Sequence, residues 1–268
     1  MKGIWTEKTK ERLYVACIVL LCVLTATFEF VKIEFCADGV ANRLLQGCLP
    51  LAFGGVAVAL LLKRGESGLF GKPTKLWAML PCLVVAIDNF PFIAYFSGKM
   101  ELVHTQGYHF LLFAVYCVFV GVFEEMIFRG IVFPLLAGWL PKDRKGFIGA
   151  YVLSSVVFGL AHIFNGDLLQ VGYCILTGGL FGYALIKTKN VLFCAITHAI
   201  YNFCGLLFTS TVGLGNGSVI DLPTGIMMAV IAVIVGVFVL YQVFTYSEEE
   251  RVDLYQRLGF GVKPTETR

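Results

Sequence analysis

The stretch PTGIMMAVIAVIVGVFVLYQVFTY, Pro223–Tyr246, decides the fold class, because it runs without one Asp, Glu, Lys or Arg. An α-helix rises about 1.5 Å per residue, so about 20 mostly apolar residues cross a hydrocarbon core of roughly 30 Å. Working outward from 223–245, seven more runs meet that demand: 13–33, 44–62, 76–98, 108–133, 147–166, 168–186 and 190–210. The runs are continuous and do not alternate, so they predict helices and not barrel strands. The expected fold is therefore all-α: a polytopic membrane protein of about eight transmembrane helices, one integral membrane domain over 1–268. Composition agrees, with 58% hydrophobic and only 15% charged residues, against about 25% charged in soluble domains. The 29 glycines suit close helix packing in lipid.

The first run follows Lys2, Lys8, Lys10 and Arg12 and so mimics a signal peptide. It is too long for a typical apolar signal core and has no clear small-residue cleavage site, so it reads as a retained first helix. Basic residues set the orientation. With the N-terminus inside, the inner segments hold those four residues, then Lys63, Arg64, Lys72 and Lys75, then Lys142, Arg144 and Lys145. They continue with Lys187 and Lys189, then Arg251, Arg257, Lys263 and Arg268. Only Lys32, Arg43 and Lys99 remain outside, and Arg129 falls within a span. The expectation is a multi-pass cell-membrane protein with both termini cytoplasmic. The net charge of +3 reflects this bias, so membrane lipid is an expected partner and nucleic acid is not.

Nine cysteines show no CxxC pair. A Cys36–Cys48 disulfide near the outer face is a weak alternative to free thiols. The tail from Ser247 is expected to be a solvated end, although Glu248, Glu249 and Glu250 could open a short surface helix. Gly213–Gly217 reads as a flexible outer loop and not a phosphate cradle, since no Lys-bearing helix start follows it. No internal repeat of the transporter kind is evident.

Ionisable groups inside a bilayer are costly and point to function. The segment Phe123-Glu-Glu-Met-Ile-Phe-Arg-Gly130 places Glu125 and Arg129 at i, i+4 with Glu first, the better order for an ion pair. Glu124 lies about 100° around the helix from Glu125, free to face a cavity. A purely structural ion pair would leave this second carboxylate without a task. Phe158 and His162 follow at i, i+4, then His198 and Asn202 at i, i+4 on one face of another span. A lone membrane histidine is often only an interhelical hydrogen-bonding group. Two histidines, an asparagine and a diacidic pair on three spans instead supply a general base, a water-orienting group and oxyanion donors, which peptide hydrolysis requires.

The ordered set EExxxR, FxxxH and HxxxN resembles the CPBP family of intramembrane proteases. That family includes CAAX prenyl endopeptidases of the Rce1 type and bacteriocin self-immunity (Abi) proteins. Every motif position is filled, within a core of about 108–210. The resemblance implies an eight-helix fold with an intramembrane polar cavity in which Glu124 activates water and His162 positions it. His198 and Asn202 would donate to the oxyanion, while Glu125 and Arg129 order the site. It also admits zinc, held by Glu124, His162 and His198, an acceptable catalytic set. The metal-free reading is preferred, because Asn202 one turn from His198 suits an oxyanion hole better than coordination.

Other chemistries fit less well. There is no HExxH, and 164–167 lacks the GxGD pattern. Ser154 and Ser155 precede His162 but read as packing or back-bonding groups. Asp88-Asn89-Phe-Pro91 reads chiefly as a proline break whose side chains satisfy freed backbone groups, with cavity lining as the alternative. Counting along simple spans puts His162 near the outer end of the fifth span and Glu124 in the inner third of the fourth, a mismatch in depth. The expected function is that of an intramembrane endopeptidase acting on a membrane-associated peptide or lipidated, CAAX-like substrate. The competing readings are a non-catalytic immunity or peptide-binding protein and a proton-coupled transporter. Reporter fusions after Arg12 and after Glu250 should both report cytoplasm, and an external signal at either would overturn the topology.

Overall fold

A helix whose outer face is almost wholly apolar can fold only against hydrocarbon or protein, and most of this chain is built from such helices. The computed structural model describes residues 33–63, 67–103, 107–163, 168–210 and 222–262, with positions 16, 20 and 23. The expected first helix, save those positions and Ile33, lies outside the described residues, as do Lys2 to Arg12 and the 213–217 loop. Chain order gives α1 (Gly39–Lys63), α2 (Met79–Asp88), α3 (Phe92–Phe96) and β1 (Met100–Leu102). Then come α4 (His109–Ile127), a π turn (Phe128–Val132), α5 (Phe133–Trp139), α6 (Arg144–Leu160), α7 (Leu168–Thr188) and α8 (Val191–Leu206). β2 (Phe208–Ser210), α9 (Leu222–Phe244) and α10 (Glu248–Arg257) complete the order.

Four helical stretches are long and apolar enough to cross a membrane: Leu76–Phe96, His109–Trp139, Gln170–Thr188 and Leu222–Phe244. On α9, Ile226, Val230, Val233, Ile234, Val237 and Tyr241 are all exposed, an apolar face suited to lipid and not to water. Trp77 and Trp139 are exposed at the ends of their helical stretches, where indole rings favour the bilayer interface. The protein is an all-α membrane protein, with one antiparallel ribbon, Met100 opposite Ser210 through Leu102 opposite Phe208, tying α3 to the end of α8.

Close crossings at glycine set the helix packing. A Cβ at Gly121 of α4 would meet Ala195 O and Ala199 N of α8 at 2.8 Å. One at Gly159 of α6 would lie 2.3 Å from Ile175 Cγ1 and 2.8 Å from Val171 O of α7. Polar starts hold the ends: Asp143 accepts from Gly146 N at 2.8 Å and Asn190 from Leu192 N at 2.8 Å, the usual N-cap bonds. Asp38 caps α1 through Val40 N and Ala41 N and also receives Tyr108 and His109. The Ala41 N–H, then the two side chains, hold its carboxyl below the usual carboxylate range.

Three expectations need correction. The tail is not a solvated end: α10 opens with a Ser247–Glu250 capping box and buries Val252, Leu254 and Tyr255. Its Glu250 and Asp253 pair with Lys75 and Lys189, the two non-glycine residues at positive φ among the described residues, and Tyr246 donates to Ile186 O at 2.6 Å. The span 76–98 is interrupted at Asn89–Pro91. There Asn89 Nδ2 donates to Tyr201 O of α8 at 2.9 Å, so it satisfies another helix and not its own. The fourth span does not stop at 133, since the helix continues through the π turn to Trp139; Pro134 falls in the first turn of α5, where its missing N–H goes unneeded. Cys36 and Cys48 are free thiols, in line with the favoured expectation.

Gly159→Ala should lower thermal stability in detergent by about 1–3 kcal/mol through overpacking. Gly172→Ala in α7 is the control, since its Cβ meets nothing within 4 Å, and should leave stability unchanged or slightly raised.

Candidate active site

The middle of the bundle holds two acidic side chains withdrawn from bulk water. Glu124 and Glu125 are the midpoint of the 31-residue helical stretch His109–Trp139, and both are buried, Glu125 with no exposure at all. Glu125 Oε1 receives Arg129 Nη1 at 3.0 Å and lies 2.9 Å from His198 Nδ1. Arg129, also fully buried, sits in the π turn, a helical irregularity frequent at functional sites. Its Nη2 donates to Gly178 O of α7 at 2.6 Å. Its guanidinium lies 4.6 Å from the Phe158 ring centroid and 5.5 Å from that of Phe181. In so dry a site such cation–π contacts are worth about 2 kcal/mol. Phe158 is thus the aromatic floor under the arginine as well as the partner of His162.

Two imidazoles approach Glu124. His162 Nε2 lies 3.9 Å and His198 Nε2 3.8 Å from Glu124 Oε2. His162 Nδ1 is 2.9 Å from Phe158 O. A carbonyl only accepts, so Nδ1 carries the proton and, in the neutral ring, Nε2 presents its lone pair. The carboxylate of Glu125 imposes the same tautomer on His198. Phe181 stacks on the His198 ring at 4.5 Å and 19°. Five of the six expected residues therefore form one cluster. Asn202, partly buried one turn after His198, has no hydrogen bond to the other five.

The expected mismatch in depth disappears because the fourth span is longer than its apolar run suggested. Counted from the turn at 140–143, Glu124 stands about 22 Å and His162 about 27 Å up their helices at about 1.5 Å per residue, nearly level. Ser155 Oγ bonds back to Tyr151 O at 2.9 Å, and no hydrogen bond joins either serine to His162. Asp88 is buried at the end of α2. Gly178 and Phe181 were not anticipated. The small residues of Thr177-Gly-Gly-Leu-Phe-Gly182 signal close helix approach, but not that a carbonyl there would hold an arginine. Among the described residues no group of three or more His, Cys, Asp or Glu is gathered as a metal ion would need. The 3.8 and 3.9 Å separations exceed the edge of a zinc tetrahedron, about 3.4 Å for bonds near 2.0–2.1 Å.

Residues 106–204 match the family model for the type II CAAX prenyl endopeptidase Rce1-like domain. This stretch of the chain is similar to an Rce1-like domain. All six candidate residues lie inside it, while α1, α2, α9 and α10 lie outside. No curated protein and no solved structure matches the chain. Within the matched stretch, the Glu125 carboxylate is the joint between Arg129 and His198.

Arg129→Ala strands that carboxylate in a buried site and should cost about 3–5 kcal/mol, seen as lost yield of folded protein. Adding Glu125→Gln should restore part of the yield, because the amide oxygen still accepts from His198 while the charge is gone. A double variant no better folded than Arg129→Ala would show that Arg129 serves another partner.

Proposed function

We propose that this protein is an intramembrane endopeptidase that hydrolyses a peptide bond in a membrane-associated substrate, with water activated at Glu124. The observation that carries the reading is the approach of two Nε2 nitrogens, 3.9 and 3.8 Å away, to one buried carboxylate oxygen. A water bound there directs one hydrogen to Glu124 and the other to an imidazole lone pair, which leaves its own lone pair aimed at a scissile carbonyl. Glu124 takes a proton as the C–O bond forms and returns it to the leaving nitrogen as the C–N bond breaks. Asn202 donates an N–H to the oxyanion. In the tautomer that Glu125 imposes, neutral His198 offers a lone pair on the site side, so His198 joins Asn202 as a donor only when protonated. Glu125 and Arg129 act through His198 and are positioning residues.

The similarity to an Rce1-like domain supports a prenylated or CAAX-like protein as substrate, with its cleavage site brought to the bilayer by its lipid. Basic-residue placement supports both termini being cytoplasmic.

Purified wild-type protein in detergent should cleave such a peptide, and Glu124→Gln should abolish cleavage without loss of folded protein. Asn202→Ala should lower kcat by about a hundred-fold or more with KM little changed. Exhaustive chelation should leave the rate intact. Stoichiometric zinc in the active enzyme, lost together with activity in His198→Ala, would replace the water-only mechanism by a metal one in which Glu124, His162 and His198 hold the ion.

A further inference from the structure

A second cavity lies behind α7, on the side of that helix away from Glu124. It measures about 200 Å³ and is walled by α2, α6, α7 and α9. Four of its lining residues carry hydroxyls, and three of them donate to backbone carbonyls within the protein. Tyr151 donates to Gly179 O at 2.6 Å, Ser155 to Tyr151 O at 2.9 Å and Thr177 to Cys174 O at 3.3 Å. The rest of the wall is apolar, including Leu180, Val235 and Gly236. Three of the four hydroxyl protons are thus committed to the backbone, and a polar ligand inside would find few donors. Apolar cavities of about 150 Å³ stay dry and accept apolar ligands.

The rim identifies the occupant. Val152, Leu176 and Leu240 line the cavity and are also 45%, 66% and 48% exposed. They are continuous with the exposed apolar face of α9 at Val233 and Val237, which faces hydrocarbon in a spanning helix. The mouth therefore opens sideways into the bilayer. We infer that this cavity is a binding site for the acyl chain of a bilayer phospholipid, which enters between α6, α7 and α9. The seated chain packs against Gly179 and Leu180, next to the Gly178 carbonyl that holds Arg129. It thus backs the wall on which the site cluster rests.

The test uses the full chain in phosphatidylcholine vesicles containing a phosphatidylcholine with a photoactivatable diazirine on one acyl chain. Labelling is mapped by peptide mass spectrometry. In the wild type, label should concentrate at Val152, Leu176 and Leu240. A Cβ at Gly236 meets nothing within 4 Å, so Gly236→Phe fills the cavity without striking the backbone, and Ala232→Leu fills it from the next turn. Both variants should lose about ten-fold of the label at the three rim residues. Label at Leu111 and Val118, exposed on α4, should not change, which also reports intact folding. Equal labelling of the rim in wild type and both variants overturns the proposal. So does displacement of the label by a farnesylated peptide, which would make the occupant a substrate's lipid anchor. Neither reading depends on catalysis, so the result stands apart from that of the cleavage assay.

Discussion

One oxygen, Glu125 Oε1, fixes the arrangement on which the site depends. Its two partners come from different parts of the chain, Arg129 from the π turn and His198 from α8. Through Arg129 it reaches the Gly178 carbonyl of α7, so a single carboxylate sets α4, α7 and α8 relative to one another. Stability alone does not ask for this, since a buried ion pair is often no more stabilising than apolar side chains of the same volume. What the pair supplies is direction. A carboxylate against Nδ1 decides which nitrogen of His198 faces Glu124, and apolar packing could not do that.

The apolar surroundings are what give the cluster its force. Phe158 and Phe181 flank the guanidinium, and Phe181 also stacks on His198. With water excluded, each charge meets only aromatic faces and chosen partners, so the interactions act at low local dielectric. Close crossings at Gly121 and Gly159 bring α8 to α4 and α7 to α6, and without them the polar atoms would stand too far apart to meet. α7 is therefore a wall with two faces. One carries Gly178 and Phe181 toward the cluster, and the other borders an apolar cavity.

The helical character of the chain and the polar candidates, five of which the structure brings together, were legible in the sequence because both rest on local rules. An uncharged run such as 223–246 has no stable form but a spanning helix, and i, i+4 spacing puts two side chains on one face wherever the helix lies. What escaped was set by contacts distant in sequence. The π turn that carries the helix past Pro134 leaves no mark in hydropathy. The burial of α10 depends on Glu250 and Asp253 meeting Lys75 and Lys189, pairs that no spacing rule connects. Asn89 looked like a local repair of a proline break, yet its partner is the carbonyl of Tyr201, more than a hundred residues away. The partner of Arg129 on α7 is a backbone carbonyl, a group every residue owns, so no residue type could announce it.

The assignment of protons narrows what the cluster can do. Phe158 O holds Nδ1 of His162 as a donor, and Glu125 does the same for His198. Neutral, both rings therefore turn lone pairs toward Glu124, itself an acceptor when ionised. In the proposed mechanism a water molecule joins these three acceptors. A water molecule brings two hydrogens and is polarised by the very groups that bind it, and separations near 3.8 Å are wider than an ion-centred tetrahedron. Asn202 has no hydrogen bond to the five and brings an N–H donor that does not depend on charge state. In the proposed mechanism the site then divides its work, with acceptors gathered around Glu124 to pull protons from a nucleophile and a separate donor one turn along α8 to receive the negative charge that the nucleophile creates.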